Sequence, residues 1–228
     1  TYLYDRKAKK LSPLYVARPE LQNAPLVPMH PVEITSRDGL TLPSYLTLPQ
    51  GADKNGDGKP EQAVPMVLLV HGGPWARDGH GYNGTHQWLA NRGYAVLSVN
   101  YRASTGFGKK FLNAGNKQWG LAMHDDLIDA VNWAVKQGVT SADKVAIMGG
   151  SYGGYAALAG LTFTPPTFAC AVDIVGPSNL ETLLATIPPY WEAGKKQMYS
   201  RMGDPTTEEG KAILRAASGD GPAAIADL

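Results

Sequence analysis

Ser151 stands in Met148-Gly149-Gly150-Ser151-Tyr152-Gly153-Gly154-Tyr155, between the apolar run Lys144-Val145-Ala146-Ile147 and the helix-forming run Ala156-Ala157-Leu158-Ala159. To attack a carbonyl, a serine hydroxyl needs exposure, a base within hydrogen-bond reach, and donors for the oxyanion that forms. G-x-S-x-G at a strand-to-helix turn supplies the exposure. Gly149 and Gly153 allow a sharp, closely packed turn with Ser151 strained at its tip. The N–H of Tyr152 then points toward the space where an oxyanion would form. A second donor is expected from the loop after an earlier strand, where glycine lets backbone approach the substrate. His71-Gly72-Gly73-Pro74, directly after the apolar run Met66 to Val70, fits that place, with Gly73 N–H as the donor. His71 at the strand end suits an orienting role through hydrogen bonds to the loop backbone, in preference to the rival role of general base.

The base is the difficulty. In the hydrolase fold that carries this elbow the chain order is serine, acid, histidine, yet all five histidines, His30, His71, His80, His86 and His124, precede Ser151. The aspartates that follow are Asp173, in the middle of an expected strand, Asp204, before Pro205, and Asp220 and Asp227. These 228 residues therefore hold a nucleophile and an oxyanion hole but no conventional triad.

Other chemistries are weaker. Asp53-Lys54-Asn55-Gly56-Asp57-Gly58 copies the first half of a calcium loop, but Val64 stands where the bidentate glutamate belongs. A solvated turn is the expected reading of Asp53, Asn55 and Asp57. The acids of His124-Asp125-Asp126 suit the first turn of a helix, where its dipole favours negative charge. The glycines of Ala103-Ser104-Thr105-Gly106-Phe107-Gly108 are too irregular for a phosphate fingerprint. The single cysteine, Cys170, lies in an apolar run and is expected to be a buried small hydrophobe. No cofactor and no metal is expected. A net charge of +1, with 18% charged residues, gives no basic field for nucleic acid, and no apolar run has the length of a membrane span.

Hydropathy and turn residues divide the rest of the chain. Residues 1 to 17 form a hairpin, and residues 18 to 31, with Pro19, Pro25, Pro28 and Pro31, form a stiff linker. From residue 32 to 228 the chain alternates strands and helices. Expected strands are Val32 to Thr35, Leu40 to Leu48, Met66 to Val70, Tyr94 to Val99, Lys144 to Ile147 and Phe168 to Val175. Expected helices are Tyr82 to Arg92, Met123 to Gln137, one after the elbow, Leu180 to Ile187, Tyr190 to Met202 and Thr206 to Ala217. That alternation predicts an α/β fold, a mostly parallel sheet with helices on both faces.

Val70-His71-Gly72-Gly73-Pro74, then Asn100-Tyr101-Arg102 with Ser104-Thr105-Gly106-Phe107-Gly108, then Gly149-Gly150-Ser151-Tyr152-Gly153-Gly154-Tyr155, resemble in that order the prolyl oligopeptidase family of serine peptidases. The branch they resemble holds acylaminoacyl peptidases and dipeptidyl aminopeptidases. The likeness runs from about Pro31 to Ala217. It implies an α/β-hydrolase peptidase domain preceded by a β-propeller, with residues 1 to 17 similar to a final blade. It also implies acylation of Ser151 by short peptides or N-blocked and aminoacyl substrates, with Gly73 and Tyr152 supplying the oxyanion hole. Family members carry their aspartate and histidine on later strands, so both are expected beyond Leu228. The stretch Ser218 to Leu228 does not read like the next family strand. A domain lacking its last strands bares a sheet edge, and self-association is expected. A carboxylesterase on the same fold, and a non-catalytic hydrolase-like scaffold, are the competing readings.

Overall fold

The computed structural model describes residues 1–219. Asp220, Asp227 and the reading of the final stretch lie outside the described residues. The hairpin is present as two strands, β1 (Tyr2–Asp5) and β2 (Lys10–Pro13), paired antiparallel and largely exposed. A single 3-10 turn, Pro19–Leu21, interrupts the proline-rich stretch. β3 (Met29–Thr35) begins inside the expected linker, because Pro31 at an edge position leaves the pairing with β4 (Thr41–Thr47) intact.

The main sheet has six strands among the described residues, in the order β3-β4-β6-β5-β7-β8. β5 is Met66–Val70, β6 Ala95–Val99, β7 Val145–Gly150 and β8 Cys170–Ile174. The β6-β5-β7-β8 pairings are parallel and the β3-β4-β6 pairings antiparallel. Strand alternation explains why β5 is apolar throughout. Leu68 and Val70 join the larger core with α3 (Ala122–Lys136) and α4 (Tyr152–Phe163), whereas Val67 packs with Leu89 of α1 (Gly84–Ala90) on the other face. Helices thus cover both faces, as the sequence predicts.

Local chemistry sets the helix ends. Asn83 accepts hydrogen bonds from the N–H groups of Thr85 and His86, so α1 starts after it and not at Tyr82. α3 buries Met123, Leu127, Ala130, Val131 and Ala134, the stripe read from the sequence. α2 (Lys109–Asn113) is a short helix the sequence reading missed. The expected single helix Tyr190 to Met202 is two elements, a 3-10 segment Pro189–Gly194 and α6 (Lys195–Met202). α5 is Leu180–Ala185, and α7 (Glu208–Ser218) is capped by Thr207, whose side chain accepts from Gly210 N–H.

Cys170 corrects the sequence reading, for it is exposed. β8 is an edge strand of the described sheet, and Cys170, Val172 and Ile174 on one of its faces are left uncovered, while Ala171 packs on the core. The Asp53 carboxylate accepts from the N–H groups of Gly56, Asp57 and Gly58, which makes it the organiser of its own turn.

Candidate active site

Ser151 sits between β7 and α4 with φ 56 and ψ −117, a left-handed backbone that a residue with a Cβ adopts only under strain. Close packing holds it there. A Cβ on Gly149 would come 2.6 Å from the backbone of Gly153, and one on Gly153 would run into the carbonyl oxygen of Val70. Ser151 N–H donates to Ile174 O at 2.9 Å, and Tyr155 N–H donates to Ser151 O at 3.0 Å. The side chain of Ser151 is exposed and its Oγ has no hydrogen-bond partner among the described residues. Tyr152 is the first residue of α4, so its N–H is one of the helix's donors without an intrahelical acceptor.

The loop after β5 closes on the elbow. A Cβ on Gly72 would lie 2.8 Å from Gly150 O and 3.3 Å from Ser151 Cβ, so only glycine lets the two strand ends meet this closely. Gly73, at φ 125, lines the same pocket as Ser151 and Tyr152. That pocket, of about 330 Å³, is walled by Trp75, Trp119, Leu183, Met198 and Met202. Val175 stands at its rim, 84% exposed and with φ 52, an unusual conformation for a β-branched residue. Asp173 Oδ1 accepts the N–H of Gly176 at 2.8 Å and thereby braces the turn that carries Val175.

His71 belongs to the loop and not to the nucleophile. Its Nδ1 lies 2.8 Å from Gly72 O and its Nε2 2.9 Å from Ser104 Oγ. Burial pushes it below the ordinary histidine value, which favours the neutral ring. Tyr101 stacks on His71 at 4.5 Å and on Tyr152 at 5.0 Å, and its hydroxyl donates to His71 O at 2.8 Å. Burial raises the Tyr101 and Tyr152 phenols, which stay protonated.

The other histidines are committed elsewhere. His30 lies near Asp53, His80 faces Met29 O, His86 sits between Thr47 and Ser98, and His124 meets Thr164. Asp204 caps its own turn by accepting from Thr206. The structure therefore brings Ser151, Tyr152, Gly149, Gly153, Gly73 and His71 together, and places no acid and histidine pair beside them among the described residues. Sequence reasoning gave no role to Tyr101, Ser104, Trp75, Trp119 or Val175. Tyr101 and Ser104 stand in a motif that signals the resemblance, but nothing in their spacing announces contact with His71.

The profile of the prolyl oligopeptidase family matches residues 81–209. The chain is 69% identical over 213 residues to dipeptidyl aminopeptidase BIII of Pseudoxanthomonas mexicana, covering 93% of this chain and 31% of that protein. It is 47% identical over 232 residues to dipeptidyl peptidase family member 6 of Caenorhabditis elegans, covering 95% of this chain and 31% of that one. The solved acylaminoacyl peptidase of Pyrococcus horikoshii shares the fold, with a TM-score of 0.79 at 22% identity over 95% of this chain and 33% of that chain. The chain thus spans about a third of the length of the curated relatives it matches. A match over more than half of its residues, centred on the elbow that the geometry singles out, makes this chain a member of the prolyl oligopeptidase family of serine peptidases.

Proposed function

We propose that Ser151 is the nucleophile of a serine peptidase that cleaves short peptides through an acyl-enzyme. The observation that carries this reading is the strained, exposed Ser151 at the mouth of a pocket it shares with Gly73 and Tyr152. Ser151 Oγ attacks the scissile carbonyl and passes its proton to a general base. The carbonyl oxygen becomes an oxyanion between the N–H groups of Gly73 and Tyr152. Collapse expels the amine, which takes up that proton, and water then hydrolyses the ester on Ser151. Each histidine of the chain is engaged elsewhere among the described residues, so this reading takes its general base and acid from outside them.

The apolar wall of Trp75, Trp119, Met198 and Met202 favours an apolar side chain next to the scissile bond. The names of the dipeptidyl relatives support release of dipeptides from a free amino end, and those of the acylaminoacyl relatives support a blocked one. In the full-length protein, Ser151→Ala is expected to lower turnover of an aminoacyl or dipeptidyl anilide by about four to six powers of ten. A loss below tenfold contradicts the nucleophile. Turnover of short aryl esters without any anilide cleavage would instead indicate an esterase.

A further inference from the structure

The peptide joining Gly72 to Gly73 is a trans plane, so its carbonyl and its N–H point in opposite directions. Holding the carbonyl therefore aims the N–H. Gly72 O lies 2.8 Å from His71 Nδ1, and since a carbonyl only accepts, Nδ1 carries the proton. In the neutral ring that burial favours, Nε2 then keeps a lone pair. Ser104 is wholly buried, and its Oγ stands 2.9 Å from that nitrogen as its one side-chain hydrogen bond among the described residues. The hydroxyl must donate.

We propose that Ser104 is a positioning residue of the oxyanion hole: by donating to His71 Nε2 it fixes the imidazole that holds the Gly72 carbonyl, and so aims Gly73 N–H at the oxyanion. The proposal rests on Ser151 being the nucleophile. Tyr101 completes the frame, since its hydroxyl holds His71 O while its ring lies between those of His71 and Tyr152. Ser104 touches no substrate. Its loss loosens a donor that matters most once the oxyanion has formed, and substrate binding in the ground state is spared.

The test uses the full-length enzyme with Ser104→Ala and Ser104→Cys, the latter retaining a weak donor of similar shape. For Ser104→Ala the expected fall in kcat is about 10- to 100-fold, smaller than deletion of an oxyanion donor outright. Affinity for a peptide aldehyde, which forms the tetrahedral adduct, falls by the same factor. KM and inhibition by the product peptide move less than about threefold, because neither involves the oxyanion. Ser104→Cys falls between wild type and alanine, and carries the same comparison if the alanine variant does not fold. An unchanged kcat overturns the proposal. So does a parallel loss of kcat, product affinity and thermal midpoint, which is the mark of a structural role alone. Fluorophosphonate labelling of wild-type Ser151 separates the two layers: labelling with no effect of Ser104→Ala sinks only this inference, whereas absent labelling sinks the nucleophile as well.

Discussion

At the level of single residues, the elbow depends on contacts that tolerate no added atoms, and stability on buried rings that stay neutral. Gly153 is the case at the elbow, because a methyl group there runs into the Val70 carbonyl. Gly153→Ala is expected to cost about 1–3 kcal/mol through overpacking and to lower activity further by shifting Ser151, as chemical denaturation and turnover of the full-length protein would show. His86 gives a pH-dependent counterpart. Buried between Thr47 and Ser98, it is pushed down to about 4. The unfolded ring binds a proton near 6.5 and the folded ring does not, so this contribution is complete above pH 6.5 and is lost as pH falls from there toward 4. Its full size is on the order of 3 kcal/mol. His124, also pushed down to about 4, adds in the same direction, while Asp78, pushed up to about 6 by burial, opposes both between about pH 4 and 6. His86→Gln is expected to flatten the decline of the thermal midpoint between pH 6.5 and 4.5. An unchanged slope would remove His86 from the account.

At the scale of elements, one buried cation ties the site to its scaffold. Arg102 follows Tyr101, and its guanidinium donates to Asp126 of α3 at 2.7 and 2.8 Å and to Asp38, in the β3-β4 turn, at 2.9 and 3.0 Å. Asp126 is wholly buried, so Arg102→Met leaves its carboxylate with the backbone N–H of residue 102 but without its charged partner, and is expected to cost about 3–5 kcal/mol in denaturant titration. Adding Asp126→Leu is expected to recover part of that loss. A cost below about 1 kcal/mol for the single change would show that the pair contributes little. The elements themselves were legible in the sequence where the signal is local and repeated. The stripe on α3 and the glycines of the elbow are such signals, the latter because sharp strand-to-helix packing needs glycine at fixed offsets. Boundaries were less legible. Asn83 sets the start of α1 by a side-chain hydrogen bond that competes with apolar spacing, and the 3-10 segment Pro189–Gly194 stands where helical periodicity alone gave one long helix. The loop that closes on the elbow was legible in Gly73 and His71 as a glycine-rich turn after an apolar strand. Ser104 was not, because a serine in a glycine-rich loop looks like turn chemistry until the fold sets it against His71.

At the scale of the whole molecule, sequence composition does not reveal which strands are edges. Cys170, Val172 and Ile174 look like core and instead line an open edge of the described sheet. A protein of these 228 residues alone is expected to self-associate through that edge, with Val172→Lys raising the monomer fraction in sedimentation. A monomer at high concentration without the substitution would argue that the edge is harmless. Action through Ser151 is decided by treating the full-length natural protein with a fluorophosphonate and mapping the adduct by peptide mass. One adduct per chain, on the peptide carrying Ser151, and none in Ser151→Ala, is the expected result. No adduct on the active protein, or one at another serine, would contradict it.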